Sequence, residues 1–206
     1  MVLLEVRRQK KGIEKVIKMI YYISDIHFRD QKIFDKCVRP FQSLEEMERE
    51  IIEKWNRKVN NNDLVYILGD ISKDDDASTL EIFKKLKGHK HLIVGNHDHL
   101  ILDEIQKSNI FETVKFIDLI YDKDRKVCIC HYPIMDWMEF NRNGILVYGH
   151  VHNKTEINGY AYKLMKEYYK DLKAYNCGVD VNNFEPNSLD ELIQLKEENK
   201  DGPYIY

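Results

Sequence analysis

From Met19 onward the chain alternates between two hydrophobic patterns. Short runs rich in β-branched and aromatic residues, namely Ile20–Ser24, Leu64–Leu68, Leu92–Val94, Phe116–Tyr121, Val127–Cys130 and Ile145–Tyr148, read as strands. Several are too continuously apolar for a sheet with one wet face, so they are expected as buried central strands. Between them apolar residues recur every three or four positions. Leu44, Met47, Ile51, Trp55 and Val59 predict a helix opened by the capping box Ser43-x-x-Glu46 and ended by Asn60–Asp63. A second helix is expected over about Ser78–Lys87, with Leu80, Phe83 and Leu86 inward and Gly88 as its stop. A third runs from about Leu100 to Ser108, and a last one starts at Ser188, capped through Glu191. This alternation is an α/β pattern.

Residues 1–18 stand apart, with Arg7, Arg8, Lys10, Lys11, Lys15 and Lys18 against Glu5 and Glu14. They read as an extra strand or hairpin, a short amphipathic helix, or an extension with no part in the chemistry. Residues 19–206 are expected to form a single domain, since 206 residues fit one unit of ~100–200 residues with its own core. With 43% hydrophobic and 33% charged residues, disordered and collagenous classes are excluded. No run approaches the ~18 apolar residues of a membrane span, and no secretory core of ~7–15 apolar residues opens the chain, so a cytoplasmic protein with no membrane partner is expected. The four cysteines, Cys37, Cys128, Cys130 and Cys177, contain no C-x-x-C pair and read as free buried thiols. A net charge of −3 disfavours duplex nucleic acid as a partner.

The strand ends carry the chemistry, because ligands of open α/β sheets gather at the carboxyl ends of strands. The runs are followed in turn by Asp25-Ile26-His27, Gly69-Asp70, Gly95-Asn96-His97-Asp98, His131, and Gly149-His150-Val151-His152. A carboxylate and an imidazole two residues apart on an extended backbone project to the same side, so Asp25 and His27 can hold one cation, and His150 and His152 can share a site. Mixed oxygen and nitrogen donors without thiolate favour Mn, Fe, Zn, Ni or Co over Ca or Mg. The glycine ahead of three clusters is what a tight turn needs where backbone and substrate approach closely. Asp25, His27, Asp70, Asn96, His131, His150 and His152 make seven candidate ligands, too many for one open metal and suited to two sharing a carboxylate.

The ordered set D-x-H, G-D, G-N-H-[DE], H and G-H-x-H resembles the calcineurin-like metallophosphoesterases over residues 19–152, and over a last strand Asn176–Val181. The resemblance implies a four-layer α/β/β/α sandwich of two mixed sheets flanked by helices, with a dinuclear site at one edge. It puts Asp25, His27, Asp70 and His152 on one metal and Asp70, Asn96, His131 and His150 on the other, with Asp70 bridging. His97 takes the family's place for an imidazole that stabilises or protonates the leaving oxygen, and either Asp98 or Asp74 would orient it. Catalytic roles are therefore expected at His97, Asp70 and Asp98.

Charge supports that chemistry independently. Two divalent cations, two aspartates and a bridging hydroxide leave about +1, which attracts a phosphate ester without holding it irreversibly. A phosphodiester of a small molecule or nucleotide is the expected substrate. A phosphomonoesterase or nuclease of the same superfamily is the alternative, and a binding scaffold that has lost its metals is the reading from another class. The sequence holds no cysteine-phosphatase loop, G-x-S-x-G elbow or phosphate-binding P-loop. Lys73 stands where protein phosphatases of the superfamily carry Asp, which argues against that substrate class. Outside the motifs, His89 and His91 are expected at the surface beside a helix end. His99 reads as support for the site or as the start of the next helix, and Asp74, Asp75 and Asp76 as a solvated loop. The tyrosines of Asn158–Tyr175 read either as a cap offering aromatic faces to a nucleobase or as packing on the sheet.

Overall fold

The structure is a computed structural model that describes residues 18–37, 39–73, 75–152 and 159–198. The 1–17 segment with its three readings and Asp74 lie outside the described residues. Strands β1 (Ile20–Ile23), β2 (Leu64–Ile67), β3 (His89–Ile93) and β4 (Phe111–Lys115) run parallel in one sheet, whose other edge is the antiparallel β9 (Asn187–Ser188), in the order β4-β3-β2-β1-β9. A second sheet orders β5 (Ile117–Asp122), β6 (Arg125–Cys130), β7 (Ile145–Tyr148) and β8 (Ala174–Asn176), with only β5 antiparallel.

Period-two alternation sorts each strand between layers. Tyr22, Leu68, Ile93, Val127, Ile129, Ile145 and Val147 meet between the sheets. Tyr21, Ile23, Val65, Ile67 and Leu92 face the opposite way, onto helices α2 (Leu44–Lys58) and α4 (Leu102–Ser108) through Met47, Ile51, Trp55 and Ile105. Cys128, Cys130, Leu146 and Tyr148 face outward from the second sheet, against Trp137 and Tyr169. Tyr169 belongs to α5 (Gly159–Tyr169), and α6 (Leu189–Glu198) sends Leu189 and Leu192 between the sheets. The result is the expected sandwich of two mixed sheets with helices outside. All four cysteines are buried and free. Among the described residues no helix is long and apolar enough to cross a membrane.

Local departures have local causes. The expected Ser78–Lys87 helix is only a 3-10 turn (Ala77–Thr79) and a short α3 (Leu80–Phe83). Side chains of α2 take the carbonyls beyond it, Trp55 Nε1 donating to Lys87 O and Asn56 Nδ2 to Lys85 O, so the helix does not propagate. Leu80, Phe83 and Leu86 are inward as expected. His89 and His91 lie on β3 rather than at a helix end, and His91 stacks on Tyr66 at 4.8 Å between ring centroids. β4, α1 (Gln31–Lys36) and α5 carry too weak an apolar period to be read from sequence. Of the expected last strand Asn176–Val181, only Asn176 is strand. Val179–Val181 is a 3-10 turn, because Asn182 Nδ2 folds back onto Asn176 O and Gly178 O. The capping box at Ser188 is formed in both directions, while at Ser43 the hydroxyl accepts from Glu46 N and the Glu46 carboxylate accepts from Gln42 N instead of Ser43 N.

Candidate dinuclear metal centre

The carboxyl ends of β1, β2, β3, β6 and β7 open onto one edge of the sandwich, and the loops there carry every expected ligand. The backbone is not extended through them. Asp25 (φ 57°), His27 (φ 52°), Asp70 (φ 54°) and His150 (φ 69°) all sit in the left-handed region, which non-glycine residues adopt at a cost of ~1–3 kcal/mol. Asp25 and His27 therefore converge because both turn left-handed, not because an extended strand alternates. Neighbouring backbone holds them there: Asp25 N donates to Gly69 O (3.1 Å) and His27 N to Asp70 O (3.0 Å).

Two groups of ligand atoms emerge, Asp25 with His27 and His152, and Asp70 with His131 and His150, the atoms of each lying within 4.8 Å of one another. Asp70 stands between them. Its Oδ2 is 3.6 Å from His27 Nε2 and 3.4 Å from His131 Nε2, while its Oδ1 accepts from His97 N (2.9 Å). Asn96 Oδ1 lies 3.0 Å from His131 Nε2, which adds it to the second group. His97 brings its ring within 5.1 Å of the His27 ring.

These residues fit divalent cations. His27 is fully buried, yet neither ring nitrogen makes a hydrogen bond, which is costly for an imidazole unless another partner takes a lone pair. Asp30 Oδ2, 3.4 Å from its Nδ1, attracts that side of the ring without completing a bond. His131 gives Nδ1 to Leu68 O (2.7 Å) and His152 gives Nδ1 to Asp180, so each keeps Nε2 facing the cluster. Imidazoles held in this way are the usual supports of transition-metal sites.

Asp98 and Gly149 join neighbouring loops of the site. Asp98, fully buried, accepts from Gly95 N (2.7 Å), Asp70 N (3.0 Å) and Ile71 N (3.0 Å), tying the G-D loop to the G-N-H-D loop. Gly149 makes room for a carboxylate rather than for substrate, since a Cβ there would meet Asp25 Oδ2 at 2.6 Å. His99 is exposed and stacks on Phe116, away from the ligands. Asp76 caps the Ala77–Thr79 turn through Ser78 N, as a loop carboxylate should. Tyr169 is buried against Trp137 and Tyr148, and its hydroxyl donates to Ile134 O, so this part of the tyrosine segment packs on the second sheet, whereas Tyr160 is exposed. Sequence reasoning missed Arg39 and the role of Asp180. Their only signal was two charged residues in otherwise apolar or turn-forming surroundings.

Protonation in the metal-free protein is set by the same contacts. Burial works against charge on His131, but the bond and charge of Asp70 outweigh it and push the imidazole up to about 9. Burial also opposes the Asp70 carboxylate, which His131 and His27 nevertheless hold well below the usual range. A cation taking His131 must expel its proton, so apparent metal affinity is expected to fall up to ~10-fold per pH unit below about 9. Calorimetric titrations in buffers of different ionisation enthalpy will read that proton, and a pH-independent affinity from pH 7 to 9 would remove His131 as a ligand. The raised His131 pKa also stabilises the metal-free fold, fully below the ordinary imidazole value of 6.5 and progressively less as pH rises through about 9.

The chain is 31% identical over 186 residues to an uncharacterized protein of Methanocaldococcus jannaschii, covering 89% of this chain and 94% of that one. It is 25% identical over 164 residues to the gene 66 protein of Mycobacterium phage D29, covering 66% and 79%. A solved protein of unknown function from Aquifex aeolicus superposes with a TM-score of 0.66 at 27% identity, covering 87% of this chain and all of that one. The profile of the calcineurin-like phosphoesterases matches residues 18–199, a span that contains both sheets and every loop with a candidate ligand, and the chain belongs to that family.

Proposed function

We propose that this protein hydrolyses phosphodiesters of small molecules or nucleotides at a dinuclear centre in the cytoplasm. The observation that carries the reading is the Asp70 carboxylate set between two converging ligand groups, its Oδ2 within 3.6 Å of His27 and 3.4 Å of His131. Asp25, His27, Asp70 and His152 would hold one cation, and Asp70, Asn96, His131 and His150 the other. Two divalent cations there would supply Lewis acidity for the phosphoryl oxygens and an activated water. Asp70 keeps both halves in one charge environment, and Asp98 holds the Asp70 and Gly95 backbones so that the carboxylate does not swing away. In this reading Asp98 positions Asp70. His97, anchored by its own N–H on Asp70, donates a proton from its imidazole to the leaving oxygen. Tyr132, 43% exposed with its ring 4.7 Å from that of His150, offers an aromatic face beside the ligands on which a nucleobase can stack.

The test is metal content measured alongside hydrolysis of bis-p-nitrophenyl and p-nitrophenyl phosphate, on protein stripped and reloaded with Mn, Zn, Ni and Mg. Two metals per chain and diester preference are the expected result. Monoester preference would make the protein a phosphatase, and neither metal nor turnover under any loading would favour the scaffold reading. His97→Ala is expected to slow diesters with poor leaving groups ~10²–10⁴-fold and nitrophenyl esters far less. Equal losses across leaving groups would remove the proton-donor role.

A further inference from the structure

We infer that Arg39 and Asp180 form a positioning pair that fixes His152, and with it the Asp25–His27–His152 half of the site, for a divalent cation. The inference rests on the dinuclear reading above and names residues that no ligand motif contains. Arg39 is a buried guanidinium that spends its donors on two loops. Nε and Nη2 grip the Asp180 carboxylate at 3.0 and 3.3 Å, while Nη1 donates to Ile26 O and Nη2 to Asp25 O, both at 2.7 Å. Those two carbonyls flank the left-handed turn that aims Asp25 and His27.

Asp180 in turn accepts from His152 Nδ1. An imidazole that gives its Nδ1 proton to a carboxylate keeps the Nε2 lone pair, and His152 Nε2 is the nitrogen turned toward Asp25 Oδ1, at 3.9 Å. One guanidinium thus holds the loop that carries two ligands and, through Asp180, the tautomer of the third. Only a planar fork of donors can serve four acceptor atoms in this way. Backbone bonds fix the other end of the device, Val179 N donating to Ser24 O (3.1 Å) next to Asp25. The Cys37 thiol also lies within reach of His152 and Asp180, but the Arg39 charge already occupies that carboxylate and disfavours a separate cation there.

The test uses the metal-stripped full chain, titrated calorimetrically with Co or Zn, and compares the wild type with Asp180→Asn and Arg39→Met. Because a lone buried ion endangers folding, the double variant R39M/D180N, which removes both charges together, serves where a single variant does not fold. Two binding events are expected for the wild type. In the variants one event weakens ~10–100-fold while the other is retained, and ¹⁵N spectra of the zinc-loaded protein show the His152 Nδ1–H signal lost or shifted. Equal weakening of both events, or no weakening with only a lower melting temperature, would make the pair a purely structural clamp and overturn the inference. A wild type that binds no cation would instead overturn the dinuclear reading itself, which keeps the two failures apart.

Discussion

Replacing Asp70 by Asn is expected to abolish turnover, by ~10³-fold or more, while leaving the fold intact. The substitution keeps shape and keeps an oxygen for the His97 N–H, but it removes the negative charge that lies between His27 and His131. Charge stabilisation by a paired metal centre is worth several kcal/mol, and each ~1.4 kcal/mol is tenfold in rate. The fold survives because the backbone around position 70 is held from elsewhere. Asp98 accepts from Asp70 N and Ile71 N, and Gly69 O and Asp70 O accept from the D-x-H loop. Steady-state rates in metal-controlled buffer, with circular dichroism melts of the same samples, will read both halves. Wild-type rates from the variant would sink the assignment of the site.

Gly69→Ala should have the largest effect on stability. Gly69 has φ +81°, a conformation that charges a side chain ~1–3 kcal/mol, and a Cβ there would stand 2.5 Å from both Gly95 Cα and Gly95 N and 2.7 Å from His131 Nδ1. The backbone atoms cannot move aside without dragging the Asn96–Asp98 loop, and overpacking of this kind adds ~1–3 kcal/mol. A loss of ~2–6 kcal/mol lowers the melting temperature of a chain this size by roughly 5–20 °C. A variant that melts within a degree of the wild type would show that the G-D and G-N-H-D loops do not press together as described.

The two substitutions fall on residues whose importance is unequally legible. Asp70 stands out in the chain as an acidic residue after an apolar run and a glycine, and the same logic finds His27, Asn96, His131, His150 and His152. Gly69 is legible as a turn, but the reason for it is the Gly95 backbone 26 positions away. Asp98 was legible as part of a motif, but its three bonds to main-chain N–H groups of two loops were not. Arg39 and Asp180 were not legible as functional. An arginine before proline and an aspartate between two valines carry no pattern, and 141 positions separate them.

By itself the sequence determined the layered α/β class, the long helix Leu44–Lys58 with its cap, most central strands, and the identity of the candidate ligands. These follow from periodicity, capping chemistry and donor type, which are local properties of a chain. Tertiary structure alone decided which sheet each strand joins, where α3 stops, and that β4 exists at all. It also decided the left-handed turns that aim Asp25, His27, Asp70 and His150, because nothing local favours φ > 0 at an aspartate or histidine strongly enough to impose it. Hydrogen bonds from other loops do that, and they exist only when strand ends from distant parts of the sequence are packed side by side.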